Sequence, residues 1–369
     1  MEYSELLRDA CRQLPVYLPG KPIELVARES GLDPAAIVKL ASNENPLGMG
    51  AKAAAAARQA IAESGLYPDN SGYRLTQALS RVHGLDPSQF VLAAGSNEIF
   101  YRLCDLFVEP GCEVIFGAQA FISYRIATAI AGGTPVAVPM PGFTHDLEAM
   151  RAAITPRTRL IFLPNPNNPT GTALPRADVE AFARDLPGHV IFCYDEAYAE
   201  YQSAPADLRP HIAAGAKVVC TRTFSKIHGL AGWRIGYGYA GKELAALLNA
   251  VRPPFNTGNV AQAAALAALD DDAFVQESRR VNAAGQRQLQ EGLAALGIEH
   301  IPSEANFILA AFPDAAAAAA ALQARGVIVR PVANYGLPGH LRISVGTESQ
   351  NSRFLDVLAS ILVSKKPPV

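Results

Sequence analysis

HVIFCYDEAYAEYQSAPADLRPHIAAGAKVVCTRTFSK, residues 189–226, decides the fold. It contains two short apolar runs, HVIFCY (189–194) and KVVCT (217–221), and each stops abruptly in polar residues. The first runs into Asp195-Glu196-Ala197-Tyr198, the second into Arg222-Thr223-Phe224-Ser225-Lys226. Runs of this length, rich in β-branched and aromatic residues and separated by a helical stretch, predict buried strands joined by crossovers. Upstream, FVLAA (90–94), EVIFG (113–117), PVAVP (135–139) and RLIFLP (159–164) repeat the pattern. Their apolar residues are nearly continuous rather than alternating, so both faces of the sheet are covered. The expected fold class is α/β: a mostly parallel sheet with helices on both faces. Downstream, the stretch from about 257 to 300 reads as long helices with charged faces, followed by the short strands ANFILAAF and HLRISVG, a smaller α+β unit. We therefore expect a large domain over 40–253, and a small domain over 254–369 joined by an N-terminal arm, 1–39. The alanine tracts 53–57 and 315–321 fall inside helical patterns, where alanine is the best helix former.

Composition narrows the partners. Half of the 369 residues are apolar, enough for a sizeable core, and 32 Lys and Arg face 34 Asp and Glu, a formal charge of -2. No basic field argues for nucleic acid or an anionic membrane, and no run approaches the roughly 20 apolar residues of a membrane span. Small molecules are the expected partners. Five cysteines without CxxC spacing suit reduced thiols, which together with a charged N-terminus leads us to expect a cytoplasmic protein without signal peptide or anchor. No metal site is expected.

Three strand ends carry the chemistry. RLIFLP runs into Asn165-Pro166-Asn167-Asn168-Pro169-Thr170-Gly171, and the two runs quoted first end at Asp195 and at Lys226. Ligands of open α/β sheets bind outside the carboxyl ends of strands, so three such motifs point to one site. FVLAA ends in Gly95-Ser96-Asn97-Glu98 and opens a helix whose free N–H groups can receive a phosphate. Pyridoxal phosphate (PLP) needs an amine for its aldehyde, an acid at its pyridine nitrogen, donors to its phenolic oxygen and a phosphate cradle. Lys226 offers the amine. Arg234, eight residues on, offers a planar fork for phosphate, supported by the hydroxyls of Ser225 and Thr223. Asp195 can pair with the pyridine nitrogen, and Tyr198 and Asn168 can donate to the phenolic oxygen. Taken singly, each has an ordinary reading: a solvated lysine, a helix cap, a turn. Their common order on successive strand ends is what argues against coincidence.

NPNNPTG, DEAY and TFSKIHGLAGWRIGY resemble the fold type I, aspartate aminotransferase-like PLP enzymes. Further segments resemble the histidinol-phosphate aminotransferase family over essentially the whole chain: VYLPGKPIELVARESGLD (16–33), KLASNENPLG (39–48), YPDNSGYRL (67–75), PFNTGNVAQAAALAAL (254–269), SEANFIL (303–309), GVIVRP (326–331) and LRISVGT (341–347). The resemblance implies that Lys226 forms the Schiff base, that Asp195 faces the pyridine nitrogen, and that Asn168 and Tyr198 reach the phenolic oxygen. It assigns Ser96, Asn97, Ser225 and Arg234 to the phosphate, and Phe121 to stacking on the ring, a position often Tyr in the family. Tyr67 would cross from a neighbouring subunit, which implies a homodimer with shared sites. Arg342 and Arg330 would grip the substrate's carboxylate or phosphate, with Tyr17 and Asn45 also at the substrate. NTGN at 256–259 and Trp233 depart from the commonest forms, and core packing is the simpler reading of Trp233.

The reaction implied is ping-pong transamination from L-histidinol phosphate to 2-oxoglutarate, in histidine biosynthesis. An aminotransferase for phenylalanine or tyrosine is the nearest competing reading, and a PLP decarboxylase of threonine phosphate a further one. A regulator with an added DNA-binding region is disfavoured, because only about 40 residues precede SNENP.

Overall fold

The computed structural model describes residues 3–12 and 20–363, apart from the side chains of Ser4 and Asp9. Strand β1 (Val38–Lys39) stands apart from the main sheet, which is built from β2 (Phe90–Ala93), β3 (Glu113–Gly117), β4 (Thr134–Val138), β5 (Thr158–Pro164), β6 (Ile191–Asp195), β7 (Val218–Thr223) and β8 (Gly236–Ala240). Their spatial order is β2-β8-β7-β6-β5-β3-β4. From β7 to β4 the neighbours pair in parallel, and β8 runs antiparallel to both β7 and β2.

Strand β8 is one that the apolar pattern does not reveal. Its sequence, GYGYA, carries glycines, which strands disfavour. Close approach explains one of them: a Cβ on Gly236 would meet the Ser96 nitrogen at 2.7 Å. The reversal matters for the site, because an antiparallel neighbour needs no crossover helix. The connection 224–235 therefore stays at the carboxyl end of β7 and keeps Lys226 and Arg234 there.

The helices are α1 (Ile23–Ser30), α2 (Ala51–Ile61), α3 (Tyr73–His83), α4 (Ser96–Phe107), α5 (Ile122–Ala131), α6 (Leu147–Ala152), α7 (Arg176–Arg184), α8 (Arg209–Ala213), α9 (Lys242–Ala250), α10 (Asn259–Leu269), α11 (Asp272–Ala295), α12 (Ala315–Gln323) and α13 (Glu348–Val363). Both alanine tracts are helical, in α2 and α12. Asp146 and Asp314 cap α6 and α12, each accepting from a backbone N–H three residues on.

Strand side chains alternate in direction, so the two faces of the sheet bury separate sets. Ile161, Leu163, Phe192 and Tyr194 join the core under α2, α3, α7 and α10. Leu160, Phe162, Cys193 and Val219 join the opposite core under α4, α5 and α9. Helix α10 belongs to the large core through Ala261, Ala264, Ala265 and Ala268, so a boundary at 253/254 would sever it from the side chains it packs on. Its composition is too plain to reveal which core it joins.

A second unit follows: β9 (His300–Ile301), β10 (Phe307–Ala311), β11 (Val327–Ile328), β12 (Arg330–Val332) and β13 (Leu337–Ser344). Four of these form an antiparallel sheet ordered β12-β13-β10-β9, and β11 pairs in parallel with β1. Its core gathers side chains of α11, α12 and α13 around Ile308, Leu341 and Ile343, together with Leu40 from the N-terminal side. The five cysteines are unpaired. Among the described residues no helix is long and apolar enough to cross a membrane.

Candidate active site

A cavity of about 480 Å³ opens where the carboxyl ends of β5, β6 and β7 face β12 and β13. Ser96, Asn97, Phe121, Asn168, Asp195, Tyr198, Ser225, Lys226, Arg234, Arg330 and Arg342 all line it, drawn from positions spread over most of the chain.

Asp195 ends β6 and is buried. Its Oδ2 accepts from the Tyr124 hydroxyl at 2.7 Å, and its Oδ1 from Thr221 Oγ1 at 3.2 Å and the Ala197 N–H at 3.1 Å. Burial outweighs these donors and pushes its carboxyl up to about 6, so a cation beside it would be stabilised. Lys226 points at the same space. Its Nζ donates to the Ser42 carbonyl at 3.3 Å and lies 5.7 Å from the centre of the Tyr198 ring. Desolvation, and next the Arg342 charge, bring its amine down to about 7. A largely neutral amine at physiological pH is a nucleophile and a base.

One end of the cavity suits a phosphate. Helix α4 begins at Ser96 with no side chain capping it. Arg234 extends over that end, its Nη1 donating to Ser225 Oγ at 3.3 Å and its Nη2 to the Ala94 carbonyl at 3.4 Å. Gly95 makes room: at φ +85° it has a conformation costly for other residues, and a Cβ there would meet Arg234 Nη2 at 2.5 Å. Uncapped N–H groups, a guanidinium, a serine hydroxyl and a cradle that a side chain would fill fit the anionic end of a cofactor such as PLP. Phe121 offers an aromatic face in the same cavity and packs edge-on against Tyr124, 5.9 Å between centroids.

The other end is cationic. Arg330 on β12 and Arg342 on β13 are directly paired across the strands, and each is buried. Arg342 Nη1 donates to Asn168 Oδ1 at 2.6 Å and Nη2 to the Ala41 carbonyl at 2.7 Å. With its oxygen so engaged, Asn168 keeps its amide N–H groups for other acceptors.

Two expected residues lie elsewhere, and a third falls outside the described residues. Asn45, expected at the substrate, does not line the cavity: its Nδ2 donates to the Ile227 carbonyl at 2.8 Å and to Ser278 Oγ at 2.9 Å, which ties the lysine-bearing loop to α11. Tyr67 is 82% exposed on this chain and stacks on Phe255, 4.6 Å between centroids. Tyr17 lies outside the described residues. Trp233 packs against the large core, with its Nε1 donating to Met49 Sδ at 3.3 Å. Conversely, Asn43, Tyr124 and Thr221 touch key side chains and were not foreseen. Asn43 sits in SNENP, and Tyr124 one helical turn after Phe121, spacings that could have exposed both.

Residues 35–358 match the family of class I and II aminotransferases. A histidinol-phosphate aminotransferase of Thiobacillus denitrificans is 50% identical over 96% of this chain and 92% of its own length. A second from Methylobacillus flagellatus is 46% identical over 96% of each. Among solved structures, the histidinol-phosphate aminotransferase of Sinorhizobium meliloti in complex with pyridoxal-5'-phosphate superposes with a TM-score of 0.86 at 29% identity, covering 98% of both chains.

Proposed function

The chain belongs to the class I and II aminotransferases, and on that premise we propose that it carries the amino group of L-histidinol phosphate to 2-oxoglutarate, giving imidazole acetol phosphate and L-glutamate. The cofactor is PLP. One observation carries the choice of substrate: Arg330 and Arg342 face each other across paired strands inside the cavity that holds Lys226. Like charges directly opposite repel, and a dianionic phosphate relieves that repulsion better than a neutral aromatic side chain does. The names of the relatives point the same way.

When bound, PLP supplies an aldehyde that condenses with amines and a protonated pyridine ring that draws electrons from the carbon losing its proton. The chain's own groups do the rest. Asp195 would hold the ring N–H, and its pKa, raised by burial, would fall again beside that cation. Tyr198 and Asn168 donate to the ring oxygen, Phe121 covers a ring face, and Ser225, Arg234 and the α4 N–H groups of Ser96 and Asn97 hold the phosphate. Lys226 takes the proton from the substrate's amine-bearing carbon on Nζ and returns it one step later. Arg342, fixed by Asn168 and Ala41, orients the anionic substrate, with Arg330 beside it. Donor and acceptor use one cavity in turn, so initial-rate plots should be parallel, as in ping-pong kinetics.

Arg234 is exposed on the single chain, which leaves the phosphate end open to solvent. A homodimer in which the partner's Tyr67 closes that end accounts for this, and for the exposed stack of Tyr67 on Phe255. A cytoplasmic location agrees with the unpaired cysteines.

Rates with 2-oxoglutarate test the substrate. We expect kcat/KM for L-histidinol phosphate to exceed those for phenylalanine and tyrosine by at least about a hundredfold, the discrimination expected when buried charged groups lose their partner. Equal or inverted values would make the protein an aromatic transaminase, and carbon dioxide released from threonine phosphate would make it a lyase.

A further inference from the structure

Residues 41–43 hold three side chains of the site by one group each. The Ala41 carbonyl accepts from Arg342 Nη2 at 2.7 Å, the Ser42 carbonyl from Lys226 Nζ at 3.3 Å, and Asn43 Nδ2 donates to the Tyr198 oxygen at 2.9 Å. Asn43 has φ +54°, a left-handed conformation that asparagine tolerates better than most residues, and it is 1% exposed. Strain of this kind persists where surroundings impose it. Here they do: the Asn43 N–H donates to Ser344 Oγ at 2.8 Å, Asn43 Oδ1 accepts from the same hydroxyl at 2.9 Å, and the Asn43 carbonyl accepts from Asn306 Nδ2 at 3.0 Å. In this arrangement Ser344 Oγ accepts from the Asn43 N–H and gives its own proton to Oδ1, which places the amide NH₂ against Tyr198. The amide nitrogen can only donate, so the Tyr198 hydroxyl hydrogen cannot point at Asn43 and must turn elsewhere. The direction left to a residue lining this cavity is the cavity itself.

We infer that Asn43 is a positioning residue that aims the Tyr198 hydroxyl proton into the cavity, so that Tyr198 donates to the ring oxygen of the bound cofactor. The inference rests on PLP binding beside Lys226 and not on which substrate is used. It has a spectroscopic consequence. Donation to the ring oxygen favours its deprotonated, negatively charged form, so it holds down the pH midpoint of the bound cofactor's colour change. Burial pushes the Tyr198 pKa up to about 12, and the Asn43 contact, after the Arg342 charge, works against that rise and so makes the hydroxyl a better donor.

The test is a spectrophotometric pH titration of the cofactor-loaded wild type, Asn43→Gly, Asn43→Asp, Tyr198→Phe and the double variant Asn43→Gly/Tyr198→Phe. Glycine keeps the backbone conformation and deletes the amide, and we expect the midpoint to rise by roughly one pH unit, the scale of one hydrogen bond to a charged group. Aspartate keeps the shape but accepts rather than donates, draws the Tyr198 proton onto itself, and should raise the midpoint further. It also covers the case in which glycine loosens the segment. In the Tyr198→Phe background the glycine substitution should add no shift, since non-additivity is the mark of action through one partner. An Asn43→Gly midpoint equal to wild type, or an equal glycine shift with and without the Tyr198 hydroxyl, overturns the inference. A wild type that binds no coloured cofactor removes the functional reading itself, and the inference with it.

Discussion

The reading proposed above gives Lys226 two duties on one nitrogen, and its surroundings suit both. Removal from water lowers its proton affinity, the Arg342 charge lowers it further, and Glu44 and Asp195 oppose the trend less strongly. The amine therefore loses its proton near pH 7 rather than near the usual lysine value. For cofactor-stripped protein, we expect the second-order rate of PLP uptake to climb about tenfold per pH unit below pH 7 and to level off above it. Stopped-flow absorbance at several pH values reads this directly, and a rate still climbing at pH 9 would contradict it. Arg342→Gln removes the main opposing charge, so the levelling point should move to higher pH. The same variant should raise KM for anionic substrates, by about a hundredfold or more, because Asn168 Oδ1 and the Ala41 carbonyl also lose their donor. Lys226→Ala should leave no measurable transamination and no covalently retained cofactor after borohydride treatment. These residue identities were legible in the sequence. What was not legible is how they are held: the Asn43 contact and the Tyr124 hydroxyl on Asp195 join residues 155 and 71 positions apart.

At the scale of elements, the site is an arrangement of ends. Strands β5, β6 and β7 finish together because they are parallel neighbours, and β8 returns beside β7 without crossing the sheet. Helix α4 points its N-terminus into the same place, where its dipole and free N–H groups favour an anion. Gly95→Ala should displace Arg234 and weaken PLP binding by about tenfold to a hundredfold, with a stability loss of about 1–2 kcal/mol from the positive φ. Fluorescence titration and thermal melting separate the two, and a variant that loses stability but keeps its PLP affinity would remove Arg234 from the phosphate. The apolar runs predicted the parallel strands because burial on both faces leaves a continuous apolar signal. They did not predict β8, whose glycines answer to a helix lying close against it rather than to strand propensity.

The whole molecule brings two sheets to one cavity, one supplying the lysine and the carboxylate, the other the paired arginines. On the dimer proposed above, a second chain completes the phosphate end. Mixing Lys226→Ala with Tyr67→Ala chains then yields hybrids in which one site has both residues intact, and roughly a quarter of wild-type activity should return as subunits exchange. No recovery, with exchange demonstrated by differently tagged chains, would place Tyr67 outside the partner's site. The sequence by itself determined the α/β class, the cofactor type, and the strand ends and lysine that meet at one cavity. These are local signals: short apolar runs, a motif at each end, and residue types whose chemistry has few alternatives. Only the tertiary structure decided that Arg330 and Arg342 are cross-strand partners, that Asn45 bonds the Ile227 carbonyl and Ser278 while Asn43 reaches Tyr198, and that α10 belongs to the large core. Each of those depends on which distant surfaces meet, and a chain's local pattern says which face is buried without saying against what.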